Sequence, residues 1–131
     1  MIYKICLIGD RDGRQSLIQS LIGINDIYDN RIKVYPYNIL TNIGNMTIHI
    51  WDINTDPYNI DSTIYINTSA VICVYDDNTE AYMNIFERKK DLVSYIIESR
   101  PSYSKKYGEC IIETILSDII HTDISILGYS C

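Results

Sequence analysis

Apolar residues arrive along this chain in short blocks separated by polar, turn-forming stretches, and the spacing inside each block predicts its element. Residues 2–8 are almost continuously apolar around a single lysine and end at Gly9-Asp10, the composition of a central strand covered on both faces. A polar loop over 10–14 follows. Across 15–22, Leu17, Ile18, Leu21 and Ile22 then fall at helical spacing, and Gly23 offers a stop. Residues 31–41 and 45–52 are β-rich, and Asn42-Ile43-Gly44 between them has hairpin-turn composition, which predicts an antiparallel pair.

Further on, 52–67 is polar and turn-rich around Pro57, an irregular loop with at most a helical turn. Residues 70–75 form a second fully apolar block and predict another buried strand. From Thr79 to Asp91, Ala81, Tyr82, Ile85 and Phe86 share one helical face, and Arg88, Lys89 and Lys90 suit the negative end of that helix. Residues 92–97 fit either a helix or a strand. Beyond Pro101 the pattern predicts a short helix ending at Gly108, a strand over 110–115 and a last helix over 117–127. Strands alternating with helices, plus one hairpin, imply an α/β fold of three layers whose sheet is mostly parallel with one antiparallel edge strand. A chain of 131 residues, 47% hydrophobic, has material for one such domain spanning 1–131.

Charge narrows the partners. The net charge of -6 and a pI near 4.7 repel phosphate backbones and anionic lipid headgroups, and the basic residues are scattered, so neither nucleic acid nor direct membrane binding is expected. No transmembrane or signal-peptide pattern is visible, which predicts a soluble, cytoplasmic protein. Cys6, Cys73, Cys110 and Cys131 lack zinc-site spacing and read as plain thiols in a reducing compartment. Heavy use of Ile, Asn, Tyr and Asp fits a very AT-rich genome, such as that of a large DNA virus or a parasite.

Four segments carry a resemblance. Lys4-Ile5-Cys6-Leu7-Ile8-Gly9-Asp10, followed by Ser16-Leu17, resembles the first strand and phosphate loop of the Ras/Rab-type small GTPases. Ile48-His49-Ile50-Trp51-Asp52 is similar to that family's third strand, and 70–76 to its fourth. Residues 106–114 are similar to its sixth strand, which leads into the guanine-contacting loop. The resemblance implies a shortened Ras-like domain, with guanine nucleotide and magnesium as the family's ligands.

The residues which that chemistry needs are mostly absent. A phosphate loop works because glycines let backbone N–H groups close around the phosphates while a lysine neutralises them and a hydroxyl reaches magnesium. In Gly9-Asp10-Arg11-Asp12-Gly13-Arg14-Gln15-Ser16, Gly9 and Ser16 match, but Arg14 replaces the second glycine and Gln15 the lysine. Arg14 or Arg11 as a substitute phosphate cation is the competing reading. By the same resemblance Arg31 stands where the first switch has its threonine, and Asp52-Ile53-Asn54-Thr55-Asp56 keeps only the aspartate of the second switch. The guanine-reading motif has no counterpart near 97–100. Gly9, Ser16 and Asp52 therefore remain as vestigial phosphate and magnesium positions, with no catalytic residue, resident metal or cofactor expected. Ser16 also reads as a helix N-cap and Asp52 as a loop cap.

Trp51, the single tryptophan, matches an aromatic that Rab proteins show to effectors, and with Ile32, Val34, Tyr35 and Tyr58 it forms a candidate interaction patch. The resulting expectation is a non-catalytic pseudo-GTPase that binds a protein, such as an effector or regulator of host small GTPases, as a viral mimic or decoy. A divergent nucleotide-binding GTPase and a self-associating assembly subunit are the alternatives. His49 and His121 lack a nucleophile partner, and Cys131 lacks the context for lipidation.

Overall fold

The computed structural model describes residues 2–24, 31–55, 62–77 and 93–129. Strand β1 (Ile2–Gly9) leads into helix α1 (Arg11–Ile22). The hairpin of β2 (Ile32–Thr41) and β3 (Gly44–Ile53) follows, then a 3-10 turn over Ser62–Tyr65 and β4 (Ala70–Tyr75). Strand β5 (Val93–Glu98), helix α2 (Lys105–Ile120) and β6 (Ile126–Tyr129) complete the order. The predicted helix over 79–91 lies outside the described residues.

All six strands form one sheet in the order β5-β4-β1-β3-β2-β6. β1 pairs in parallel with β3 and β4, and β4 with β5, whereas β2 pairs antiparallel with both β3 and β6. The sheet curls into a half-barrel. This corrects the expected three-layer, mostly parallel Ras-like fold. Two of the five pairings are antiparallel. Both described α-helices pack on one face of the sheet, where Leu17, Ile18, Leu21, Ile112, Ile115 and Leu116 meet Ile5, Leu7, Ile48 and Ile72. On the opposite face, Cys6, Ile8, Ile53, Val71 and Cys73 are covered, among the described residues, by Tyr65 and Ile64 of the 3-10 turn. The result, among the described residues, is a β-rich mixed sheet with both α-helices on one side.

The hairpin forms as its turn composition predicts, with Thr41 opposite Gly44 and Val34 opposite Trp51. Of the run left open between helix and strand over 92–97, the described part is strand, because Val93–Glu98 extends the parallel ladder beside β4. The C-terminal third departs most. The predicted helix-strand-helix over 101–127 is one continuous helix followed by a strand. Gly108 does not stop that helix: a Cβ there would lie 2.7 Å from Ser20 Oγ and 3.0 Å from Leu21 Cδ2, so the glycine lets α2 approach α1 closely. The apolar run 110–115 belongs to a helical stripe, with Gly108, Ile112, Ile115 and Leu116 buried one or two turns apart. Ser104 caps its start and His121, in the left-handed region, ends it. The main chain then turns back, Glu113 Oε2 accepts from Ile126 N–H at 2.7 Å, and β6 adds to the sheet beside β2. No helix among the described residues is long and apolar enough to cross a membrane.

Candidate functional site

The segment expected to be a phosphate loop is helix from its third residue, Arg11, on. Gly9, at φ +106°, ends β1 where a Cβ would fall 2.2 Å from Val74 O, so only glycine fits against the β4 backbone. Asp10 follows as the N-cap of α1: its Oδ2 accepts from Gly13 N–H at 3.1 Å, its carbonyl from Arg14 N–H at 2.9 Å, and its own N–H donates to Val74 O at 2.9 Å. The backbone donors at 10, 13 and 14 are therefore spent inside the protein. Ser99, after β5, closes the far side by donating to Asp10 Oδ2 at 2.5 Å. Gly13 packs so tightly there that a Cβ would sit 2.4 Å from Ser99 Oγ and 2.5 Å from Val74 Cγ1.

Arg14 is neither a solvated loop residue nor a phosphate ligand in waiting. Its side chain is 3% exposed and runs back under the end of β1, where its guanidinium bonds and ion-pairs with the Asp52 carboxylate, which is 1% exposed. Arg14 Nε also donates to Gly9 O at 3.1 Å and Nη2 to Asn54 Oδ1 at 3.0 Å. These bonds compensate two charges withdrawn from water, a burial that is costly without such partners. The arrangement joins the first turn of α1 to the end of β3 and fills the space between them with protein.

The residues named from the sequence therefore separate. Gly9, Arg14 and Asp52 do come together, but as a closed internal network. Ser16 is not the N-cap, a role Asp10 takes; it lies within α1 and its Oγ is 2.8 Å from Asp12 O and 2.9 Å from Pro101 O. Gln15 is half-buried on the same helix. The family's lysine, hydroxyl and metal-side aspartate need an open cradle between them, and here the aspartate is taken by an arginine. The residues present do not form the open phosphate and magnesium cradle that the resemblance implies, since Asp52 is paired with Arg14 and the backbone donors at 10, 13 and 14 are already bonded.

The expected patch is divided as well. Ile32, Val34 and Trp51 share the sheet face away from the helices, with Val34 directly opposite Trp51. Tyr35 points the other way, into the main core at 4% exposure, and burial together with the neighbouring Asp52 charge raises its phenol above the ordinary value. Tyr58 lies outside the described residues. Trp51 is half-buried, and Lys4 Nζ stands 3.9 Å above its ring while donating to Ile66 O at 3.1 Å. Trp51 thus helps to hold the 3-10 segment against the sheet.

Sequence reasoning missed Asn54 and Ser99, both partners of the closed network, because each is a single polar residue at a strand end with no motif around it. Compared with known proteins, the chain matches no family model and no curated protein.

Proposed function

We propose that this chain is a non-catalytic protein-binding domain: a pseudo-GTPase in the residues of its first loop, though not in its fold, that has given up nucleotide for a surface role. The observation that carries this reading is the buried Arg14 guanidinium. It lies on Asp52, Asn54 and the Gly9 carbonyl, so the side chain best suited to receive a phosphate is consumed internally. The reading with Arg14 as a replacement phosphate cation loses support from the same bonds. What is left to act is surface, including Val34 at 40% exposure and the half-buried Trp51 on the face away from the helices. Partners of this kind include regulators or effectors of small GTPases, as a mimic of that family would engage.

Isothermal titration of the full chain with GTP, GDP, ATP and ADP, each with magnesium, tests the reading. Flat traces are expected across the panel. Saturable heat with any of them, or a nucleotide-dependent rise in melting temperature, contradicts it.

A further inference from the structure

The parallel strands β1, β3, β4 and β5 all end at one side of the sheet, and β2, being antiparallel, begins there. Sheets with parallel strands commonly offer that side to ligands. Here it is tied together by the chain itself. Arg14 links the Gly9 carbonyl, at the end of β1, to Asp52 and Asn54 at the end of β3. Asn54 N–H donates onward to Arg31 O at 2.6 Å, just before β2. Asp10 N–H donates to Val74 O in β4 at 2.9 Å, and the Asp10 carboxylate accepts from the Ser99 hydroxyl after β5. Ser99 N–H in turn donates to Tyr75 O at 2.7 Å.

We propose that Arg14 is a built-in cation: its guanidinium fills a receptor for a planar cation, made of Gly9 O, the Asp52 carboxylate and Asn54 Oδ1, and so fixes these strand ends in one state that no exchangeable ligand sets. This rests on the protein-binding reading above and supplies its regulation, since a surface held in this way is presented constitutively.

The chemistry of the acceptors comes first. Nε, Nη1 and Nη2 each meet a different partner, and all three partners are oxygens. Emptied of the guanidinium, such a set leaves a buried carboxylate beside acceptors that attract a cation. The geometry then selects the kind of cation. A planar fork of N–H donors reaches three separated oxygens at once, whereas an ammonium is a compact point charge. Position in the helix points the same way. Arg14 stands near the start of α1, where the helix dipole disfavours positive charge, so the acceptors on two strand ends hold it there against that field.

Thermal melts and amide spectra of the full chain carrying Arg14→Ala, titrated with methylguanidinium chloride, test this. The variant should melt at least about 10 °C below the wild type. Methylguanidinium should restore it saturably, by about 5 °C at ten times its dissociation constant, and leave the wild type unmoved. The Gly9, Asn54 and Ser99 amide signals should return toward their wild-type positions in the same titration. Methylammonium, magnesium chloride and sodium chloride at equal ionic strength should not reproduce the effect. If Arg14→Ala does not fold, Arg14→Lys carries the test, because it keeps the charge and loses the fork; it should melt about 5 °C lower with the same three amides shifted. No recovery in folded Arg14→Ala, equal recovery with methylammonium or magnesium, or a wild-type melt for Arg14→Lys would each overturn the proposal. Flat nucleotide titrations alongside such a failure leave the protein-binding reading standing, whereas nucleotide heat in the wild type removes both.

Discussion

Replacing Arg14 with methionine keeps much of the side-chain volume and removes the charge, which isolates what the buried pair contributes. Asp52, 1% exposed, is left as a carboxylate without its cation, and Gly9 O and Asn54 Oδ1 lose donors at 3.1 and 3.0 Å. Breaking one side of a buried ion pair costs about 3–5 kcal/mol. Whole-domain stability is on the order of 5–15 kcal/mol, so the variant should fold with a much lower denaturation midpoint. Asp52→Leu should be similarly damaging, because it strands the guanidinium. The double variant should recover several kcal/mol of the summed losses, since exchanging both partners for apolar groups is often close to neutral. Urea unfolding followed by fluorescence of Trp51, the single tryptophan and the neighbour of Asp52 in the chain, gives all four stabilities, provided the slopes agree. A loss below about 1 kcal/mol for Arg14→Met, or strict additivity in the cycle, would refute the claim that the two charges are buried on each other.

Three other outcomes follow from the packing. Gly108→Ala gains helix propensity worth up to about 1 kcal/mol but puts a Cβ 2.7 Å from Ser20 Oγ and 3.0 Å from Leu21 Cδ2. Overpacking of about 1–3 kcal/mol should outweigh the gain and lower the melting temperature, and a rise would show that the α1–α2 contact gives way easily. The thiols should divide by burial: a disulfide reagent at pH 8 should label exposed Cys110 quickly and leave Cys6 and Cys73 until denaturant is added. Burial pushes the Cys73 thiol from its ordinary 9.0 up to about 12, so the native state keeps a proton that the unfolded chain releases. That contribution is complete below pH 9.0 and is lost as pH rises toward 12. Stability that stays level across this alkaline window would contradict the burial of Cys73.

The parts of the fold legible in the sequence were those with local signals. β1 and β4 show as apolar blocks, β1 broken only by Lys4, and the hairpin shows through two β-rich runs joined by the turn composition of Asn42-Ile43-Gly44. Helix α2 was obscured because Ile111, Ile112 and Ile115 crowd into a run that strand and helix periods fit equally, and because Gly108 looks like a stop until Ser20 and Leu21 are seen against it. β6 is four residues long and owes its existence to tertiary pairing with β2. At the site, the sequence marks Arg14 and Gln15 as departures from the phosphate-loop pattern that the segment resembles. It could not show where the Arg14 side chain goes, because its partners, Asp52 and Asn54, belong to a different strand and its following loop.

A crystal structure grown in millimolar GDP and magnesium addresses the central claim most directly. The account predicts the Arg14 guanidinium on the Asp52 carboxylate, α1 helical from Arg11, and no nucleotide beside Gly9. Density for a phosphate within reach of the 10–14 backbone, with Arg14 swung away from Asp52, would contradict it.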